Sequence, residues 1–148
     1  MKDKKDLDAI IVGGSYAGLS AALALGRALR SVLVIDGGSP CNRQTPYSHN
    51  FITQDGENPK AIVEKAKVQV SNYGTVSFLD DLAVDGRRTE GGFAITTKTK
   101  GEFHARKLIF ATGLRNIMPA IEGYADCWGI SVIHCPYCHG YEYRNLNS

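Results

Sequence analysis

The chain has 148 residues, the length of a single globular domain of roughly 100–200 residues, and its 43% hydrophobic and 22% charged residues argue against a disordered polymer. A formal net charge of +2, with the basic residues scattered in pairs, argues against a nucleic-acid-binding surface. No apolar run matches a signal peptide or the ~18 residues of a membrane helix, so we expect a cytoplasmic protein without membrane association.

The first elements follow the pattern of a βαβ unit. Asp8–Val12 is a short β-branched run of the kind buried in a parallel sheet. Gly18–Leu29 carries apolar residues at helical spacing without proline, and Ser31–Ile35 is a second β-branched run that ends at Asp36. A strand, a helix and a second strand within about thirty residues predict a parallel sheet.

A long polar segment follows at residues 37–56. Loops of this length are uncommon unless they are functional, so we expect it to face a ligand. A second helix is predicted next, with Asn58 as its N-cap, Pro59 as its first residue and Gly74 as its C-terminal stop. Its apolar residues recur every fourth position, which predicts one buried face.

The hydrophobic period changes to two between Thr75 and Lys107, where Asp85-Gly86 and Gly91-Gly92 supply turns. This pattern predicts a small antiparallel meander. Leu108–Ala111 is again a run typical of a buried strand, and Thr112-Gly113 closes it.

Gly13–Gly18 occupies the six positions of a Gly-x-Gly-x-x-Gly loop, with Ser15 in place of the middle glycine. Such a loop needs a tight turn at its first glycine, a small third residue beside a pyrophosphate, and close helix packing at its sixth position. The helix that begins there directs N–H groups at phosphates. Asp36 is placed to accept hydrogen bonds from ribose hydroxyls. A glycine-rich turn that binds no nucleotide is the alternative.

Cys135 and Cys138 form a Cys-x-x-Cys pair. With Pro136 at the first helical position, Cys135 lies at a helix N-terminus, where a thiolate is stabilised for thiol–disulfide exchange. His134 and His139 flank the pair, and an imidazole can transfer protons near neutral pH.

Three other interpretations of this motif stay open. Cys-x-x-Cys-His is also the attachment motif of c-type haem, which requires export of the protein. The two cysteines, with the flanking histidines and Cys127, could bind zinc. Cys-Pro-Tyr-Cys also resembles the active site of glutaredoxins, although in glutaredoxins the cysteine pair lies near the start of the domain. Cys41 and Cys127 are expected to be ordinary thiols, and His49 a solvated loop histidine.

Taken together, the chain resembles the low-molecular-weight thioredoxin reductases, and more closely a thioredoxin-reductase-like branch that includes the dithiol oxidases of fungal gliotoxin biosynthesis. The motifs that carry the resemblance are, in chain order, Ile11–Leu19, Asp36-Gly37, Asn42–Phe51, Ala111–Gly113 and Cys135–Glu142. Members of this family commonly have an acidic residue after the second cysteine, where this chain has His139.

The resemblance implies an α/β, Rossmann-like, three-layer FAD/NAD(P)-binding fold with a parallel sheet, helices and a small antiparallel β-meander. It implies FAD contacts at Gly13, Gly14, Ser15, Ala17, Gly18, Asp36, Gly37, Thr45, Asn50, Thr112 and Gly113. It also implies that NADPH reduces the flavin and the flavin reduces the Cys135–Cys138 disulfide, with Cys138 facing the flavin, Cys135 attacking the substrate and His139 transferring a proton. In the oxidase branch the electrons run the other way, to oxygen.

We expect residues 1–116 to form the first segment of an FAD-binding domain and residues 117–148 to begin an NAD(P)-binding domain that is incomplete, since family members are about twice as long. The chain alone is then expected to be an incomplete enzyme. The implied partners are a thioredoxin-like protein or a small disulfide or dithiol, and the full-length family forms homodimers. The competing function is a short non-catalytic module that binds a nucleotide, or binds zinc through the Cys/His cluster.

Overall fold

The structure is a computed structural model that describes residues 7–133 and 135–145. Its elements, in chain order, are β1 (Leu7–Val12), α1 (Tyr16–Arg27), β2 (Val32–Asp36), α2 (Pro59–Ser71), β3 (Val76–Asp80), β4 (Ala83–Thr89), β5 (Gly92–Thr97), β6 (Gly101–Phe110), α3 (Tyr124–Cys127) and α4 (Pro136–Tyr143). No helix among these residues is both long and apolar enough to cross a lipid bilayer.

The strands form a six-stranded mixed sheet in the order β3-β2-β1-β6-β5-β4. Strands β3, β2, β1 and β6 are parallel, and β5 and β4 continue the sheet antiparallel. The predicted α/β fold with a meander is therefore confirmed. One assignment was wrong: Val76–Asp80 pairs parallel with β2 and does not belong to the meander. Alternation of apolar and polar residues indicates that one face of a strand is exposed. An edge strand of a parallel sheet can have such an exposed face too, so the pattern does not distinguish it from a meander strand.

Strand β6 joins the two halves of the sheet. The segments predicted as a meander strand and a separate buried strand are one ten-residue strand. Its first half pairs with β5, its second half pairs with β1, and Ala105 has a partner on each side. The predicted burial of Leu108–Ala111 holds only in part: Leu108, Ile109 and Ala111 are half-buried and pack against the two core clusters, whereas Phe110 is 72% exposed.

The core lies on both faces of β1. Ile11 belongs to one buried cluster with Leu19 of α1 and Val70 of α2, and Ile10 belongs to a second cluster with Ile95 of β5. Successive side chains of a strand point to opposite faces, so a run such as Ile10-Ile11 needs cover on both sides. Both isoleucines are fully buried.

The helices are near their predicted positions but end earlier. Asn58 caps α2 as predicted, because its Oδ1 accepts a hydrogen bond from the Lys60 amide at 2.9 Å; the helix nevertheless ends at Ser71 rather than near Gly74. Helix α1 was expected to reach Leu29, which instead adopts a left-handed φ of 58° and is 81% exposed. A left-handed residue after the last turn ends the helical hydrogen bonding.

The described residues divide into two compact units. The first contains the described parts of Met1–Pro40 and Val63–Gly113, and with them the sheet; the second contains Cys41–Ile62 and the described part of Leu114–Ser148. The two units are described separately below.

In the first unit, the Asp81 carboxylate holds the turn between β5 and β6. It accepts hydrogen bonds from the amides of Thr99 and Lys100, each at 2.9 Å, and from the Leu82 amide at 2.8 Å. Burial acts to raise the pKa of Asp81, but hydrogen bonds from Thr99, Leu82 and Thr97 lower it, so that the net pKa lies below the ordinary value.

We predict that Asp81→Asn destabilises the chain at neutral pH and that the difference narrows in acid. A carboxylate whose pKa is lowered by folding contributes its full stabilisation above its unfolded pKa of ~3.9, and this contribution decreases as the pH falls from that value towards the lower folded pKa. Urea unfolding at a series of pH values measures this directly. An equal difference in midpoint at pH ~7 and pH ~3 would contradict the assignment.

Candidate functional site

In the first unit, β1 lies between β2 and β6, so the carboxyl ends of three parallel strands are neighbours. The direction in which the chain adds strands reverses at β1, because β2 and β3 lie on one side of β1 in the sheet and β6 lies on the other. Parallel α/β sheets bind ligands at such a point, outside the carboxyl ends of the strands. Gly13 and Gly14 follow β1, Asp36 ends β2, and Thr112 and Gly113 follow β6.

The glycine loop is packed too tightly for side chains at its first and sixth positions. Gly13 has a φ of 110°, and a Cβ there would overlap the carbonyl group of Ala111. A Cβ at Gly18 would overlap the carbonyl oxygen of Gly13. The backbone of the loop is therefore held directly against β6 and against the first turn of α1.

The start of α1 suits an anionic group. Ser15 is the N-cap residue, but its side chain makes no capping hydrogen bond, and the first turn contains no acidic residue. The N–H groups of a first helical turn lack intrahelical partners and attract phosphate. At Gly14, a Cβ would lie 2.8–2.9 Å from the Asp36 side chain, so loop and carboxylate are in direct proximity. These features fit the pyrophosphate and ribose of a dinucleotide.

The other predicted contacts of the first unit are at or near the same strand ends. Ala17, Gly37, Thr112 and Gly113 are all exposed. Gly113 has a φ of 71°, a conformation that favours glycine over other residues. Their roles toward a cofactor stay predictions.

In the second unit, the cysteine pair begins a helix as predicted. Cys135 is the N-cap of α4 and Pro136 opens the helix. Cys135 and Cys138 form a disulfide with a Cα–Cα distance of 5.3 Å, and the Cys138 amide donates a hydrogen bond to the Cys135 Sγ at 3.2 Å. When the pair is reduced, the same amide and the helix dipole are placed to stabilise a thiolate at Cys135.

A cavity of about 740 Å³ lies within the second unit. Cys138 and His139 line it, together with Thr45 and Asn50, the two residues predicted to contact the flavin end of FAD. Aromatic side chains supply much of the remaining wall, namely Tyr47, Trp128, Tyr137 and Tyr141. Cys138 of the redox pair thus faces a space with both polar and aromatic surfaces.

His49 also lines this cavity; it lies in a loop and is exposed, and its ring nitrogens face two carboxylates. Its Nδ1 lies 3.6 Å from an Asp55 oxygen, and its Nε2 lies 3.5 Å from a Glu142 oxygen. The neighbouring Asn50 donates from its amide N to Asp55 at 2.7 Å and from its side chain to the Tyr137 hydroxyl at 3.3 Å. The only hint in the sequence was the four-residue spacing of Cys138 and Glu142, which places both on one face of a helix.

No group of three or more histidine, cysteine or acidic side chains is arranged to hold a metal within residues 7–133 and 135–145. Cys135 and Cys138 are joined to each other, whereas a metal ligand must be a thiolate. Cys41 and Cys127 are free thiols, as expected. His134, the other predicted proton carrier, lies outside the described residues.

Comparison with known proteins identifies the family. The model for pyridine nucleotide-disulphide oxidoreductases matches residues 7–147, and the chain belongs to this family. It is 40% identical over 144 residues to "Thioredoxin reductase aclD" of Aspergillus oryzae, covering 95% of the chain and 46% of that protein. It is 37% identical over 147 residues to "Thioredoxin reductase tcpT" of Claviceps purpurea, covering 97% and 46%.

Solved structures agree with this assignment. An oxidoreductase from Agrobacterium tumefaciens superimposes with a TM-score of 0.89 at 42% identity, over 93% of this chain and 46% of that one. The predicted resemblance to thioredoxin reductases is therefore confirmed. The chain spans about half the length of the curated relatives that it matches. The family implies FAD and NAD(P)H as cofactors.

We predict that Gly14→Ala weakens FAD binding to the chain by about tenfold or more. The new Cβ displaces the Asp36 carboxylate, and a lost hydrogen bond to a charged group costs about 1.5 kcal/mol or more. Titration calorimetry with FAD measures the change. Gly74→Ala is the matched control, because Gly74 has no atom near its Cβ position and no positive φ. Equal affinities in the two variants, with both folded by circular dichroism, would contradict the prediction.

We also predict the thiol count of the air-oxidised chain. Of its four cysteines, two are joined, so alkylation after denaturation should modify two thiols without reductant and four after reduction. Intact mass spectrometry reads both numbers. Cys138→Ser should give three modified thiols under either condition, provided that the other cysteines form no new linkage. Four reactive thiols in the oxidised wild-type chain would show that the pair is not linked.

Proposed function

We propose that this chain carries the thiol–disulfide exchange chemistry of an FAD-dependent disulfide oxidoreductase. The observation that supports this most directly is Cys135, which caps α4, forms a disulfide with Cys138 and accepts a hydrogen bond from the Cys138 amide. A reversible disulfide at a helix N-terminus suits redox exchange, because its reduced form includes a stabilised nucleophilic thiolate.

The residues proposed to hold FAD fall into groups with different tasks. Ser15 and the first-turn amides of α1 would hold the pyrophosphate, and Asp36 would accept hydrogen bonds from the ribose. Thr112 and Gly113, at the end of β6, would contact the cofactor, and Thr45 and Asn50 are the predicted contacts of its flavin end. When bound, FAD supplies two-electron transfer between a nicotinamide and the cysteine pair.

The chain's own part of the reaction needs only the two cysteines and a proton carrier. The Cys135 thiolate attacks a substrate disulfide, forms a mixed disulfide and releases one substrate thiolate. The Cys138 thiolate then attacks the Cys135 sulfur, forms the internal disulfide and releases the second substrate thiolate. Two electrons pass to the substrate, and the two thiol protons end on the released thiolates. His139, half-buried on α4, is one candidate to carry a proton.

The substrate is proposed from the resemblance. The relatives named as thioredoxin reductases favour a thioredoxin-like protein, whereas the aromatic walls of the cavity would also accept a small disulfide or dithiol. Either substrate presents a sulfur–sulfur bond or a thiol pair, so the same exchange applies in both directions.

The exchange can be tested without nicotinamide. The chain is reduced, desalted and mixed with one equivalent of dithiobis(nitrobenzoate), in a C41S/C127S background so that only the pair reacts. We predict rapid release of two nitrobenzoate thiolates per chain, with the internal disulfide restored. Stopped-flow absorbance follows the release, and intact mass identifies the product.

The single-cysteine variants assign the roles. Cys138→Ser should release one nitrobenzoate thiolate rapidly and retain the other as a stable adduct on Cys135. Cys135→Ser should react many times more slowly, because Cys135 is the N-cap of α4 and its sulfur accepts the Cys138 amide, whereas Cys138 lies inside the first turn. If both variants react at the same slow rate, typical of an unperturbed thiol with a pKa of ~8.5, the proposed exchange chemistry is wrong.

A further inference from the structure

His49 is held between two carboxylates. Its two ring nitrogens face Asp55 and Glu142 at 3.6 Å and 3.5 Å, and its side chain is 35% exposed. An imidazolium donates from both nitrogens, so an acid on each side suits a ring that gains a proton. Asp55 is itself fixed, since it accepts a hydrogen bond from the Asn50 amide.

Glu142 brings this histidine into the neighbourhood of the redox pair. Cys138 and Glu142 are four residues apart on α4, which places them on one face of the helix, one turn from each other. Cys138, Glu142 and His49 all line the same cavity of the second unit. Of the two joined cysteines, Cys138 is the one that lines this cavity.

The proposed exchange requires a proton acceptor for Cys138. Once a substrate sulfur is bound to Cys135, Cys138 must lose its thiol proton before its sulfur can attack. The Cys138 thiolate then forms a new S–S bond with Cys135. The bond between Cys135 and the substrate sulfur breaks, and its electron pair leaves with the substrate sulfur as a thiolate. An unperturbed thiol of pKa ~8.5 is only about 3% ionised at pH 7, so a proton acceptor raises this rate by up to about thirtyfold.

We propose that His49 is the proton acceptor for Cys138, with Glu142 and Asp55 as the positioning residues that hold its ring and balance its charge. The proton passes from the Cys138 thiol across the cavity to His49, and from there to the released substrate thiolate. This assignment rests on the proposed exchange function and deepens it.

His139 is the competing acceptor, because it adjoins Cys138 and lines the same cavity. Within the described part of the chain, no carboxylate is paired with its imidazole, whereas His49 has a carboxylate near each ring nitrogen. The other titratable groups that line the cavity are Cys41 and the phenols of Tyr47, Tyr137 and Tyr141. The carboxylates that face His49 in this cavity are those of Asp55 and Glu142.

The test uses the reduced C41S/C127S chain and one equivalent of dithiobis(nitrobenzoate). The first thiolate release reports attack by Cys135, and the second reports attack by Cys138. We expect His49→Gln to slow the second release about tenfold at pH ~7, to leave the first unchanged, and to recover the wild-type rate at pH ~9, where the thiol ionises unaided. Glu142→Gln should also slow the second release at pH ~7 and allow it to recover at pH ~9, with a smaller effect on the rate than His49→Gln.

Control variants separate the possible failures. His104→Gln, on the exposed surface of β6, should leave both releases unchanged, and His49→Asn should repeat the result of His49→Gln. A slow second release that persists at pH ~9 in both His49 variants would indicate structural damage and overturn the assignment. A normal second release in both His49 variants, or a pH-dependent defect in His139→Gln instead, would also overturn it. Absence of the first release in the C41S/C127S chain itself would refute the exchange chemistry instead.

Discussion

The carbonyl group of Ala111 lies so close to Gly13 that no side chain fits between them. This approach depends on the parallel register of β1 and β6, in which Val12 is opposite Phe110. On the other side, β1 and β2 are in register so that Gly14 meets Asp36. A larger residue at either glycine would push the loop away from one of the two strands. The arrangement of the predicted phosphate and ribose contacts follows from this packing.

Two helix starts supply the polar chemistry, one in each unit. At α1, the Ser15 side chain makes no capping hydrogen bond and no acid occupies the first turn, so that end of the helix suits an anion. At α4, the cap is Cys135, whose sulfur accepts the Cys138 amide. The same physical property, unpaired N–H groups at the positive end of a helix, favours phosphate in the first case and a thiolate in the second.

The amino-acid sequence predicted those features that depend on local patterns. The glycine loop, the Asn58 cap and the Cys135 cap each follow from residues within a few positions of one another. Features that depend on distant partners were missed: β3 alternates like a meander strand yet pairs with β2, and β6 combines two predicted segments. His49 belongs to the same class, because its contact with Glu142 joins residues 93 positions apart, and no local pattern records such a contact.

We propose that a dinucleotide phosphate binds at the start of α1. Hydrogen–deuterium exchange of the backbone amides, measured on the chain with and without FAD, tests it most directly. We expect slower exchange at Ala17 and Gly18, because backbone N–H groups in the first turn of a helix are the ones directed at a bound phosphate. FAD that binds without protecting these two amides, or that protects only amides elsewhere in the chain, would contradict it.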